Sequence, residues 1–161
     1  MNKTIKVGMA DANVCRPPDL IATLGLGSCV GVVLYDPVKK IAGLVHVMLP
    51  DSTKIINNSN KYKFADTGIV TLIQDMVDIG AIRRNIVAKI AGGAQMFSFV
   101  NNLEMMRIGD RNVEATKQKL AELGIPILAE DTGANYGRTI EFNPDTGLLH
   151  IKSFGKELLI L

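Results

Sequence analysis

Cysteine and histidine are scarce in this chain, with two of each among 161 residues, and tryptophan is missing altogether. Two cysteines, Cys15 and Cys29, are too few for a disulfide framework, so the fold must stand on its hydrophobic core. With His46 and His150 they could supply four zinc ligands on paper, but no pair has the short spacing that announces a zinc site. No metal or cofactor is therefore expected. Basic clusters are also lacking: the net charge is +2 and no block of about five or six Lys and Arg occurs, which argues against nucleic acid as a partner. The most apolar window, "IAGLVHVMLP", falls short of the roughly 20 residues a membrane span needs. The first residues also lack a signal-peptide run. A cytoplasmic protein with reduced thiols is the expectation.

What is present is 47% hydrophobic residues against 21% charged, the balance of a globular domain. No Pro-, Gly- or Ser-rich linker or internal repeat divides the chain, so residues 1–161 are read as one domain. "TIKVGMADANV" alternates as a single strand and stops at "CRPPD", where paired prolines cannot sustain a ladder. "LIATL" follows as a short strand. "CVGVVLY" and "IAGLVHVML" are apolar at nearly every position, the pattern of strands covered on both faces. "PDSTKIINNSNKY" reads as a polar loop. "FADTGIVTLIQDMVDIGA" places Ile69, Leu72, Ile73, Met76 and Val77 at helical spacing, with Gly80 at its end. "NIVAKIAGG" is another buried strand. "GDRNVEATKQKLAELGI" is an amphipathic helix with Val113, Leu120 and Leu123 inward and Gly124 as its stop. "PILAED", "GRTIEFN" and "LLHIKSF" supply three more strands, the last two joined by "PDTG". The sum is an α/β (α+β) layered sandwich, a mixed or antiparallel sheet flanked by about two main helices.

The chemistry concentrates in "TLGLGSCVGVVLYD" and the following "GLVHVMLP". If Asp36 and Lys39 flank a two-residue loop, Cys29 and His46 fall directly opposite each other on one face. Their Cβ atoms would then be about 4.5–5.5 Å apart. An imidazolium beside a thiol lowers its pKa, and the resulting thiolate can attack an acyl carbon while the imidazole handles the protons. The "GLGS" turn allows a tight backbone in which Gly27 and Ser28 form a site loop, with Ser28 and Cys29 N–H groups as oxyanion donors. Thr23 is suited to hold the imidazole in one tautomer. The same residues also fit a core-filling cysteine, a core histidine and an ordinary turn, and composition alone leaves both alternatives open.

Landmarks throughout the chain weigh between them. "TLGLGSCV", "LYD", "HVMLP", "GGAQMF", "IGDRN", "DTGANYGRTI" and "PDTG" occur in an order that resembles the CheD family of chemotaxis proteins, from about Val7 to Ser153. Ala134 departs from it, standing where the family pattern "DTGGNYG" would have glycine. The resemblance implies a layered fold similar to glutamine-deamidating toxin catalytic domains. It also implies a protein-glutamine deamidase with Cys29 as nucleophile, His46 as acid and base, and Thr23 assisting through a thioester. The implied partners are the cytoplasmic helical domains of chemoreceptors, as substrate, and the phosphatase CheC.

Two other readings compete with this one. A non-catalytic module binding CheC or receptors would use the same cleft without chemistry. An aspartic-type peptidase would use Asp131, since "DTG" recurs at Asp66, Asp131 and Asp145; caps and turns explain all three more simply. Arg111 and Arg138 stand in the landmarks either as contacts to acidic receptor surface or as solvated structural residues. "AGGAQMF" lacks the spacing of a phosphate-binding loop and reads as a strand-end turn near the site.

Overall fold

The two apolar runs form the middle of the molecule. In the computed structural model, which describes residues 2–96 and 107–161, β1 (Thr4–Val7), β2 (Ala12–Cys15) and β3 (Leu20–Leu26) precede them. The runs themselves are β4 (Val30–Asp36) and β5 (Ile41–Val47). Then follow α1 (Ala65–Asp78), β6 (Val87–Gly92), α2 (Ile108–Glu122), β7 (Ile127–Thr132), β8 (Arg138–Asn143), β9 (Leu148–Lys152) and β10 (Leu159–Ile160). Among the described residues the strands make two five-stranded sheets, ordered β2-β5-β4-β6-β7 and β1-β3-β8-β9-β10. Both are mixed: β6–β7 and β1–β3 are parallel, and the other pairs are antiparallel. The layered α/β reading of the sequence holds, with its strands divided between two sheets.

Strand alternation explains the layering. On β4 and β5, Val30, Val32, Leu34, Val45 and Val47 pack with Ile69, Leu72 and Met76 of α1 and Leu120 of α2. The alternate residues Val33, Ala42 and Leu44 pack instead with Ile21, Ile140, Phe142 and Leu149 of the second sheet. A strand covered on both faces has no polar face to show, which is why these runs are uniformly apolar. At Gly31 the sheets approach so closely that a Cβ would sit 2.7 Å from Ile140 Cδ1.

The N-terminal run is two strands rather than one. β1 pairs with β3 in the outer sheet, whereas β2 pairs with β5 in the central sheet. The chain crosses between layers over residues 8–11, where Ala10 takes a positive φ of 56°. Two further expectations fail for geometric reasons. Val77 lies on the outer stripe of α1, seven residues from Val70, and both are exposed. β10 was not anticipated because a two-residue edge strand carries no periodicity. Phe97, the last residue of "GGAQMF", lies outside the described residues. No helix is long and apolar enough to cross a membrane among those described.

The β4–β5 connection decides the register. Asp36 Oδ1 accepts from the N–H groups of Val38 and Lys39 at 2.9 and 3.0 Å, and its Oδ2 accepts from Ile82 N–H at 2.8 Å. Burial raises this carboxyl's pKa, but the converging donors outweigh it and hold Asp36 below its ordinary value. Lys40 then adopts φ 53°, so four residues, not two, separate Asp36 from its partner Ile41. Four-residue loops are commonly built around a type I turn, which Pro37 favours.

Ala134 sits at φ 60°, directly after Gly133 at 83°. A left-handed conformation costs a residue with a Cβ about 1–2 kcal/mol, partly offset by the greater unfolded-state freedom of glycine. Ala134→Gly is therefore expected to stabilise the protein by about 0.5–1 kcal/mol, measured as the shift of the urea midpoint. A lowered midpoint would show that the methyl group makes packing contacts outweighing the backbone strain.

Candidate functional site

The longer loop displaces Cys29 from the position expected opposite His46. The observed ladder pairs Gly31 with His46 and ends at Val30–Val47, leaving Cys29 one residue before the strand. The displacement is two residues, so alternation keeps Cys29 on the face of β4 that looks toward the second sheet, as His46 does on β5. The relation is thus diagonal rather than direct, a separation of about 7–8 Å between Cα positions in a regular ladder. Cys29 is half-buried at the margin of the core between the sheets.

His46 is buried, and its orientation can be derived from one proton. The Thr23 hydroxyl donates to the carbonyl of Val7 at 2.7 Å. The same oxygen lies 2.7 Å from His46 Nδ1. A hydroxyl has a single hydrogen to give, so toward the imidazole Thr23 must accept, and Nδ1 carries the ring proton. Nε2 is left as an unprotonated base, and it has no hydrogen-bond partner among the described residues. The backbone of His46 is held from the same direction: Ala10 N–H donates to its carbonyl and its N–H donates to Asp11 C=O, both at 3.0 Å. The end of β1 orients the ring, through Val7 and Thr23, and the sheet-crossing segment that follows it holds the main chain.

Burial acts against charge on both the thiol and the imidazole. Burial lowers the His46 pKa from its ordinary value. Burial also raises the Cys29 thiol, opposed in part by its own backbone N–H. Both shifts disfavour the charged form in an apolar setting. Each shift taken by itself favours the neutral form, a thiol and a neutral imidazole, over the thiolate–imidazolium pair of the sequence reading.

The loop bearing Cys29 is anchored through its carbonyls. Gly27 C=O accepts from Ala94 N–H at 2.9 Å and Cys29 C=O from Gly93 N–H at 2.8 Å. Ser28 C=O accepts from Asn112 Nδ2 at 2.9 Å. Gly92 and Gly93 have no room for side chains: a Cβ on the first would lie 2.3 Å from Cys29 O, and on the second 2.2 Å from Val113 Cγ2. "AGG" is therefore a strand-end turn that touches the site, as its lack of a phosphate-loop spacing suggested.

The arginine and aspartate readings change. Arg138 is 2% exposed and so is neither solvated nor able to meet a receptor. Its Nε donates to Asp131 Oδ2 at 2.9 Å and its Nη1 to Gly133 C=O at 3.0 Å, while the guanidinium stacks over Tyr136. Asp131 is consequently an ion-pair partner on β7 rather than a turn residue. Asp66 accepts from the N–H and hydroxyl of Ser52, and Asp145 pairs with Lys40 across two hairpin loops. The three DTG carboxylates thus have three unrelated partners, which overturns the peptidase reading. Arg111 is half-buried on α2, lining a groove with Leu49, Pro50 and Ile108. His150 faces the opposite surface of the outer sheet, beside Lys6 and Lys152. Among the described residues no three His, Cys, Asp or Glu side chains converge to hold a metal. Val7 and Asn112 were missed by sequence reasoning: one acts only through its carbonyl, and the other stood inside "IGDRN" with no signal of its reach.

A layered domain with an oriented, buried histidine and a half-buried free thiol on one face has the groups that a cysteine-nucleophile enzyme requires. The comparisons with known proteins narrow that class to one family. The family model described as CheD chemotactic sensory transduction matches residues 48–153. The "Probable chemoreceptor glutamine deamidase CheD" of Lachnoclostridium phytofermentans is 69% identical over 156 residues, 97% of each chain. That of Caldanaerobacter subterraneus subsp. tengcongensis is 60% identical over 154 residues, covering 96% of this chain and 95% of that one. The "Chemoreceptor glutamine deamidase CheD" of Halalkalibacterium halodurans is also 60% identical over 154 residues, 95% of each chain. The chain belongs to the CheD family.

Two measurements follow from the electrostatics. Cys15 is buried with its pKa pushed up to about 12, so iodoacetamide should label Cys29 much faster. The Cys29 rate should climb with an apparent pKa above the roughly 8.5 of a free thiol; a value below it would show a resting thiolate. Because the folded His46 pKa lies below the unfolded one of about 6.5, its contribution to stability is present above that pH and lost as pH falls below it. His46→Gln should flatten this acid-side decline in a urea-midpoint series; an unchanged slope would place the proton uptake elsewhere.

Proposed function

We propose that this chain is a protein-glutamine deamidase of chemoreceptors, with Cys29, His46 and Thr23 as its catalytic residues. The observation that carries the reading is the forced Nδ1–H tautomer of His46, which leaves Nε2 bare on the face shared with Cys29. The three relatives' names point to the substrate, and the identity over nearly the whole chain supports carrying it across.

The chemistry starts from the neutral pair. As Cys29 Sγ adds to the carboxamide carbon of a receptor glutamine, its proton passes to His46 Nε2, and the carbonyl oxygen becomes an oxyanion. The imidazolium so formed is stabilised through Nδ1–H by Thr23, whose charge-free oxygen orients the ring without trapping the proton. His46 then protonates the departing nitrogen, ammonia leaves, and a thioester to Cys29 remains. Water gives its proton to Nε2 as its oxygen adds to the thioester carbon. The tetrahedral adduct collapses with cleavage of the C–S bond, and the imidazolium returns its proton to the departing sulfur. The glutamate side chain is released with the thiol and neutral imidazole restored. Because burial raises the thiol, the reading uses general-base activation, with sulfur giving its proton to Nε2 as it attacks.

The "GLGS" loop supports the oxyanion role proposed for Gly27, Ser28 and the Cys29 N–H. A peptide is planar, so the N–H of one residue points opposite to the preceding carbonyl. Ser28 C=O accepts from Asn112 on α2, so in a trans peptide the Cys29 N–H points away from α2. An oxyanion donor on the inter-sheet side would need this orientation. Anchored peptides of this kind are preorganised donors.

Residues 1–161 act in this reading as one deamidase domain in the cytoplasm, where the thiol stays reduced. CheC is the proposed regulatory partner, binding over the receptor-facing cleft.

Incubation with a receptor cytoplasmic fragment, followed by peptide mass spectrometry, should show selected Gln-to-Glu conversions that vanish with Cys29→Ala. Persistence in that variant would refute the thiol mechanism, and no conversion by the wild type would leave a binding module. Thr23→Val should lower kcat about 10- to 100-fold, with Thr23→Ser close to wild type, because an acceptor oxygen orients the imidazole. The acid limb of kcat/KM should fall below about 6.5, the ordinary imidazole value.

A further inference from the structure

Beyond Val30 and Val47 the β4–β5 ladder has no further rungs, and this is where the reacting groups stand. Cys29 lies just outside one strand end, and His46 is the next-to-last residue of the other. Two strands that stop pairing normally splay, and a diagonal pair that depends on their spacing would drift with them. One side chain spans the gap. Asn112, fully buried on α2, donates from Nδ2 to Ser28 C=O at 2.9 Å and to Met48 C=O at 3.0 Å. The first carbonyl belongs to the peptide that carries the Cys29 N–H. The second lies two residues past His46. Both protons of one amide nitrogen are thus used across the two ends, in place of a ladder rung.

The residue is costly for any lesser purpose. Asparagine is a poor helix interior residue because its side chain competes with the backbone. Its Oδ1 is buried without a partner among the described residues, which is unfavourable in itself. Its neighbours on the inner side of α2, Val113 and Leu120, face the apolar core, where a leucine at 112 would satisfy packing. The helix is also pressed close: a Cβ on Gly109 would lie 2.3 Å from Ala94 O, so α2 cannot be shifted without moving the turn that holds Gly27.

We propose that Asn112 is a positioning residue that sets the distance and angle between the Cys29 loop and the His46 strand by cross-linking Ser28 and Met48 from α2. The role rests on the Cys29–His46 reading of the site. Asn112 touches neither substrate nor the reacting atoms; it acts through two carbonyls. Reaction geometry is sensitive to displacements near 1 Å, so losing the link should affect turnover more than binding.

The full chain is compared as wild type, Asn112→Leu, which keeps the branched heavy-atom shape and removes both donors, and Asn112→Asp, which keeps the shape and removes at least one. Ammonia release from a receptor cytoplasmic fragment is followed together with iodoacetamide labelling of Cys29 and a thermal melt. Expected are a fall in kcat of roughly 10- to 100-fold in the leucine variant with KM within about twofold. The folded aspartate variant should also lose kcat, so a failure of leucine to fold leaves the comparison intact. In both, the labelling profile of Cys29 should move while that of buried Cys15 does not. Wild-type kcat and an unchanged Cys29 profile in either folded variant would overturn the role of Asn112. Deamidation surviving in Cys29→Ala would instead overturn the underlying mechanism, and the two failures are read from separate proteins.

Discussion

The structure depends on a single hydrogen, the one on the Thr23 hydroxyl. Its donation to Val7 C=O leaves the oxygen only lone pairs to offer His46, and that decides which ring nitrogen is basic. The arrangement requires three strands from two sheets at hydrogen-bond distance: β1 for the carbonyl, β3 for the threonine, β5 for the histidine. Parallel pairing sets Val7 beside Thr23 within the outer sheet. The contact between Thr23 and His46 then bridges the layers, and it is short because Gly31, opposite His46, lets the sheets close. A bulky residue at Gly31 would separate the layers and disconnect the ring from its orienting oxygen.

Burial of this pair has an electrostatic consequence. The low polarity between the sheets penalises charge on sulfur and imidazole alike. An oriented neutral base can still work, because the proton moves as sulfur attacks and no isolated ion has to exist beforehand. A quiescent thiol is also less open to alkylation and oxidation than a standing thiolate, a useful property in a residue that is half exposed.

Around the pair the fold supplies backbone anchors rather than charged side chains. Gly93, Ala94 and Asn112 hold three successive carbonyls of the loop ending at Cys29. The turn that provides the first two is itself tied down, since Arg138 reaches toward Gly92 C=O while bonding Gly133 C=O and Asp131. A buried guanidinium is expensive unless its charge is matched, and Asp131 provides the match. The link joins β8 of the outer sheet to β7 of the central sheet, so it also fixes the two layers near the site.

Much was legible in the sequence because local physics writes directly into it. Uniformly apolar runs meant strands covered on both faces. The spacing of Ile69, Leu72 and Met76 meant a helix face, and "CRPPD" meant a strand end. The strand parity of Cys29 and His46 survived a wrong loop length, because an error of two residues returns a side chain to the same face. Other features belonged to the tertiary structure alone. The Asp36 carboxylate that orders the β4–β5 loop is held in part by Ile82, a donor distant in sequence. The division of "TIKVGMADANV" between two sheets, the burial of Arg138 and the reach of Asn112 to two carbonyls involve partners that no local pattern encodes. Periodicity reports which face of an element is covered; only packing determines which backbone oxygen a buried polar group meets, and whether a thiol and an imidazole share a charge.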